Sequence, residues 1–250
     1  MPELLKFFLG EFFGTALLII LGNGVCAAMS YKNMFAASKG GNWVPIALGW
    51  GMAVLLGVLV ANAFGTGGHL NPAVTVAFTI SGATAIKAMP IYIVAQFAGA
   101  MFGQVILNLV TYKHIQETDQ LVVRGCHATG PAYPNAIVQN LGMEFLGTVI
   151  LIGTIMCLGL GANNMTTTFG PLIVMIIVMS IGFSLGSTTG YAINPARDAG
   201  PRLVFMLMQM LPLKGSNKTS ANWAYGWIPV VSPILAGAVL GLLARFVTLA

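Results

Sequence analysis

The sequence predicts an all-α integral membrane protein, with six spanning helices and two half-length helices arranged as an inverted internal repeat. Three observations carry this reading. Of the 250 residues, 57% are hydrophobic and only 7% charged, where soluble domains have roughly a quarter of their residues charged. The apolar residues fall in blocks long enough to cross a bilayer. One tripeptide, Asn-Pro-Ala, occurs at corresponding places in two halves, as Asn71-Pro72-Ala73 and Asn194-Pro195-Ala196.

A span needs about 20 apolar residues, and the stretches 7–29, 44–64, 90–112, 137–160, 170–188 and 228–248 qualify. The first is too long for a signal-peptide core and reads as the first span. Two further apolar stretches, 71–80 and 194 to about 207, are too short. At the helical rise the first reaches about 15 Å, half the thickness of the hydrocarbon core. Either alone also suits an amphipathic helix lying in the interface; their shared opening tripeptide favours re-entrant half-helices. Residues 113–136 (Lys113, Glu117, Asp119, Arg124, Pro131, Pro134) form the longest polar connection. They divide one domain, 1–250, into a first repeat of about 1–112 and a second of about 137–250. Residues 212–227 end in Trp223, Tyr225 and Trp227, aromatics suited to a membrane-interface belt.

The halves open alike, with Gly10-Glu11-Phe12-Phe13-Gly14-Thr15 and Gly142-Met143-Glu144-Phe145-Leu146-Gly147-Thr148. Each reads span, span, half-helix, span. Three spans per half is an odd number, so the second half must sit upside down, an arrangement that brings half-helices together at the bilayer midplane. Orientation is in tension with charge. With both termini cytoplasmic, the inner side carries Lys6, Lys87 and Arg245. The outer side carries Lys32, Lys39, Lys113, Arg124, Arg202, Lys214 and Lys218, against the positive-inside rule.

Several functions are disfavoured. The net charge of +5 comes from dispersed Lys and Arg, with no run suited to nucleic acid. Cys26, Cys126 and Cys157 are isolated, which argues against a metal site or a disulfide framework. No ATP motif or cofactor site is visible, and no enzyme activity is expected. Gly182-Phe183-Ser184-Leu185-Gly186 matches G-x-S-x-G but lies in an apolar span, whereas a nucleophile elbow needs a strand, a turn and a helix. Gly10/Gly14, Gly99/Gly103 and Gly237/Gly241 are small pairs four apart, suited to close helix contact. The sequons at Asn164 and Asn217 are short enough to arise by chance.

Asn-Pro-Ala suits a helix start. The Asn side chain accepts from an orphan backbone N–H, and Pro at the first helical position forfeits a hydrogen bond the helix does not need. One copy says little. Two N-termini meeting at the midplane would each bring about half a positive charge, a field that repels protons and cations. The two Asn amides can donate to one passing oxygen, which breaks a proton-conducting chain of hydroxyls. Before each tripeptide runs a Gly-containing segment, 65–70 and 186–193. Irregular backbone at membrane depth is tolerated where protein buries it or water lines it. The carbonyls of Gly67, Gly68 and His69, and of Gly190, Tyr191 and Ala192, are therefore candidate pore-lining acceptors. A simple returning loop fits too, but leaves these carbonyls unexplained. His69 is expected to bond within its loop.

Glu11 and Glu144 are intramembrane carboxyl groups, which default to function. A proton relay is one reading. Supporting the re-entrant loops by accepting backbone N–H groups is the reading their matched positions favour. Arg197 in the first turn of a half-helix opposes the helix dipole, so it is unfavourable there unless used. Facing the pore, it would donate to hydroxyls and repel cations, with Asp198 beside it to hold the loop. Arg202 suits a snorkelling anchor.

The segments Gly68-His69-Leu70-Asn71-Pro72-Ala73-Val74-Thr75 and Asn194-Pro195-Ala196-Arg197-Asp198-Ala199-Gly200-Pro201-Arg202 resemble the signature loops of the major intrinsic protein family, the aquaporins and aquaglyceroporins. The resemblance covers nearly the whole chain, and Asp198 is similar to the glycerol-conducting branch. It implies an aquaporin-like right-handed bundle and an outer selectivity filter at Gly182, Tyr191, Arg197 and an aromatic residue, Trp50. Trp50 lies 21 residues before Asn71, one more than the family spacing, and the ungapped alternative is Gly51. Trp50 and Tyr191 would form an apolar corner for a carbon backbone, with Arg197 and the loop carbonyls taking hydroxyls. Water-selective members carry histidine where this chain has Gly182, and phenylalanine is more usual than Tyr191 in glycerol channels. The resemblance thus implies a passive channel for glycerol and other small neutral solutes, with water, in the plasma membrane as a homotetramer embedded in the lipid bilayer. A water-selective channel and a proton-coupled transporter are the rivals.

Overall fold

The computed structural model describes residues 1–40, 42–160, 163, 165, 169–211 and 217–247. The sequon Asn164, the cation Lys214 and the last position of the sixth expected span, Thr248, lie outside the described residues. Helices are the only regular secondary structure among the described residues. In chain order they are α1 (Glu3–Ser30), α2 (Phe35–Ser38), α3 (Trp43–Ala63), α4 (Pro72–Ser81), α5 (Met89–Val110), α6 (Tyr112–Glu117), α7 (Gln120–His127), α8 (Ile137–Cys157), α9 (Gly170–Ser184), α10 (Pro195–Met208), α11 (Trp223–Gly226) and α12 (Ile228–Phe246).

Five helical runs, containing α1, α3, α5, α8 and α12, are long and apolar enough to cross a membrane. The fifth expected span departs from 170–188. Its helix α9 has 15 residues, or about 22 Å, and stops at Ser184. Beyond it the chain turns through Gly186-Ser187-Thr188-Thr189-Gly190. Glycine, serine and threonine favour turns over helix continuation, and Gly190 takes a positive φ of 82°. The polar connection 113–136 also departs from a plain loop, because it folds α6 and α7. Asp119 caps α7 by accepting from the Leu121 N–H at 2.8 Å, and α7 buries Val123, Cys126 and His127.

Helix α1 packs on α3 and α5, while α8 packs on α9 and α12. The short helices cross over: α4 lies chiefly on α12, and α10 on α5. Helices α3 and α9 meet between the halves. Glycine allows the closest of these approaches. A Cβ at Gly99 would strike the Phe12 carbonyl and one at Gly237 the Ala73 carbonyl. Outward faces carry exposed Leu56, Leu59, Val94, Leu109, Ile176 and Leu235, a distribution suited to lipid rather than water.

The candidate pore

Each Asn-Pro-Ala opens a half-helix, and its Asn caps that helix. The Asn71 side-chain oxygen accepts from the Ala73 N–H at 2.9 Å. The Asn194 oxygen accepts from Ala196 and Arg197 at 3.1 and 3.2 Å. The amide nitrogens reach the other way. Asn71 Nδ2 donates to the Ile193 carbonyl at 2.7 Å, and Asn194 Nδ2 donates to the Leu70 carbonyl at 2.8 Å. Each Asn therefore grips the backbone just before its counterpart, which brings the two helix N-termini together. An amide nitrogen has two hydrogens, so this grip uses one N–H of each Asn, and both residues line one cavity.

The gripped residues are unusual. Leu70 and Ile193 both have positive φ, 52° and 42°, which costs a non-glycine residue of order 1–3 kcal/mol. The matched glutamates hold them in place. The Glu11 carboxyl accepts from the N–H groups of His69 and Leu70 at 2.9 and 2.7 Å, and Gln96 donates to it at 2.7 Å. The Glu144 carboxyl accepts from Ala192 and Ile193 at 3.1 and 2.8 Å. Both side chains are fully buried. His69 stays within its own loop and half-helix, its Nδ1 lying 3.1 Å from the Thr75 hydroxyl.

Two cavities meet to one side of this centre. One, of about 430 Å³, is lined by Gly67, Gly68, His69, both Asn residues, Ala192 and apolar side chains such as Val54 and Phe78. The other, of about 500 Å³, is lined by Trp43, Cys26, Arg124, Thr129, Gly190 and their neighbours. Trp50, Tyr191 and Arg197 line both, so they stand at the neck. The Arg197 guanidinium lies over the Trp50 ring, 4.0 Å from its centroid. Trp50, not Gly51, is thus the residue placed beside Arg197; a Cβ on Gly51 would meet Met179 instead.

Gly182 lines neither cavity. A Cβ there would lie 3.0 Å from the Tyr191 ring carbon and hydroxyl. The room left by Gly182 is therefore filled by Tyr191. Trp43, which sequence reasoning missed, braces this pair. Its indole N–H donates to the Gly182 carbonyl at 2.8 Å, and its ring meets Tyr191 edge-on at 5.8 Å.

The expectation for Arg202 is corrected. It is completely buried and paired with Asp198 at 2.8 Å, so it is not a snorkelling anchor. Its remaining donors go to the carbonyls of Thr129, Ala221 and Asn222. A buried guanidinium needs such partners, since an unpaired buried charge is prohibitively costly. Asp198 also accepts from the Thr129 N–H and hydroxyl at 2.8 and 2.7 Å. The pair thereby ties α10 to the connection after α7 and to the segment before α11. Its signal was present in sequence as an acid and a base four residues apart on a helix. Gln96, another missed residue, was legible as one of three amide side chains, with Gln104 and Asn108, in an apolar span.

Paired half-helices meeting inside a bundle of apolar helices, with cavities joined at a narrow neck, define a pore-type membrane protein. The profile of the major intrinsic protein family matches residues 1–244, and the chain belongs to that family; it is a multi-pass membrane protein. It is 46% identical over 236 residues to a probable glycerol uptake facilitator protein of Mycoplasmoides gallisepticum, covering 93% of each chain. It is 43% identical to the glycerol uptake facilitator protein of Bacillus subtilis, covering 92% of this chain and 81% of the relative. Among solved structures it resembles the aquaglyceroporin of Plasmodium falciparum, with a TM-score of 0.83 and 26% identity over 98% of this chain and 96% of that one.

Proposed function

We propose that this protein is a passive channel that conducts glycerol, water and other small neutral solutes while excluding protons and ions. The observation that carries the reading is the neck. Arg197 stacked on Trp50 offers a charged donor beside an aromatic wall, a pairing that fits a molecule with hydroxyls along one edge and carbon along the other. The apolar lining of the cavity that holds both Asn residues and the carbonyls of Gly67, Gly68, His69, Tyr191 and Ala192 extend that two-sided chemistry. Gly182 acts by admitting Tyr191. The names of the relatives support glycerol as the solute.

Proton exclusion is assigned to the two half-helix N-termini and the amide hydrogens of Asn71 and Asn194. Coupling to protons is disfavoured because the Glu11 and Glu144 carboxyl groups are already engaged with loop N–H groups. The protein works in the plasma membrane with both termini cytoplasmic, as a homotetramer with one pore per subunit, and requires no cofactor. Stopped-flow light scattering of liposomes containing the purified protein tests the reading. Glycerol entry well above that of protein-free liposomes, unchanged by a pH gradient, is expected; entry driven by the gradient would replace the channel with a transporter.

A further inference from the structure

We propose that Cys26 is a positioning residue that sets the aperture of the neck by holding the indole of Trp50. The inference rests on the channel reading above. Trp50 is nearly buried, 4% exposed, and needs a fixed ring plane for Arg197 to stack on it. Its Nε1–H donates to the Cys26 sulfur at 3.4 Å. No oxygen acceptor is recorded for this N–H among the described residues.

One helical turn earlier on α1 stands Gly22. A Cβ at Gly22 would strike the far edge of the same indole, lying 2.6 Å from Cη2 and closer still to Cζ3 and Cε3. Residues four apart lie on one face of a helix. Gly22 therefore supplies the gap that receives the six-membered ring, and Cys26 supplies the acceptor that pins the pyrrole N–H. The indole is held from the α1 side by this pair and covered on its face by the Arg197 guanidinium at 4.0 Å.

A thiol is a weak acceptor, so the tether is soft, and a thiol is larger than a hydroxyl. Both properties bear on the neck. Cys26 also lines the cavity on its own side of Trp50, so changes there reach the neck without touching Asn71 or Asn194. Part of the solute discrimination thus falls to a residue beside the Trp50 indole that lines the adjoining cavity.

The test compares Cys26→Ser, which keeps an acceptor, with Cys26→Val, which keeps bulk but removes it. Each is made in the native chain and in a Trp50→Phe background, which has no indole N–H to hold. The readout is the ratio of erythritol to glycerol permeability in liposomes, with water permeability recorded alongside. In the native background Cys26→Val is expected to change the ratio several-fold and Cys26→Ser to leave it near the native value. In the Trp50→Phe background the two variants are expected to give the same ratio. Equal ratios for native, Ser and Val proteins overturn the proposal, as does a Val effect that persists undiminished without the indole. If Val prevents folding, Cys26→Ala replaces it with the same expectations. A protein that passes water but no glycerol defeats the channel's solute assignment instead, and the water permeabilities of the Ser and Val variants then decide the Cys26 role.

Discussion

Arg197 stacks on Trp50 at the neck, the guanidinium 4.0 Å from the centre of the indole. Each fixes the other. The cation gains the ring's negative face, and the ring gains a lid. Arg197 Nη1 is buried and has no hydrogen-bond partner among the described residues, and the residue lines both cavities. Replacing Arg197 by Val removes both the donors and the charge. Proton and urea leak through the pore should rise roughly tenfold, the effect of lowering a barrier by about 1.4 kcal/mol. A pH-sensitive dye trapped in liposomes measures the proton leak.

Gly182→His is expected to cut glycerol flux by at least about tenfold. The reason differs from simple narrowing. The first added carbon already meets the Tyr191 ring at 3.0 Å, so Tyr191, which lines the neck, must shift to admit the imidazole. Gly182→Ala should therefore reduce flux as well, while Gly182→Ala with Tyr191→Ala should restore part of it. Osmotic swelling assays distinguish these outcomes.

Asp198→Asn leaves the buried Arg202 guanidinium without its counter-charge. Breaking such a pair costs about 3–5 kcal/mol. The variant should lose much of its thermal stability in detergent, whereas Arg197→Val should lose little. Melting followed by the fluorescence of a thiol-reactive dye reads both.

Glu144→Gln and Glu11→Gln are expected to reduce flux of every solute together, without changing their ranking. Glutamine presents one acceptor oxygen and a donor where each loop offers two N–H groups, which leaves one unsatisfied at a cost of about 1–3 kcal/mol. A changed glycerol-to-water ratio in either variant would count against a purely supporting role.

His127, in the connection between the halves, gives a pH signature. Its Nδ1 lies 2.8 Å from the Val123 carbonyl, which can only accept, so Nδ1 carries the proton and Nε2 is a buried lone pair without a partner among the described residues. Burial pushes its pKa down to about 4. The unfolded chain binds a proton below about 6.5 and the folded chain does not. Stability is therefore fully present above that value and is lost as pH falls toward 4. The melting temperature of the native protein should drop across this window more steeply than that of His127→Asn.

The parts of this architecture that are legible in sequence are those that the chain repeats. Asn71 and Asn194 share a tripeptide, Glu11 and Glu144 share a context, and the small pairs at Gly99/Gly103 and Gly237/Gly241 stand alone in apolar helices. Local chemistry is enough to read them. Relationships between distant segments are not legible in this way. Arg202 looks like a surface cation because its partners at Thr129 and Ala221 are remote in sequence. Tyr191 looks like an added hydroxyl until its ring is seen in the space beside Gly182. Helix α7 is short and polar on one side, so span-length reasoning passes over it. The end of α9 at Ser184 is set by where the loop before Asn194 must begin, which apolar length alone overestimates.

The central claim is that neutral polyols pass through the neck lined by Trp50, Tyr191 and Arg197, and glycerol permeability is its most direct measure. Liposomes containing the purified protein, mixed rapidly with hyperosmotic glycerol, should shrink and then reswell at least about tenfold faster than empty liposomes. Trp50→Ala should alter the reswelling rate more than the initial shrinking. Reswelling no faster than in empty liposomes, with shrinking accelerated, would contradict the account and leave a pore for water alone.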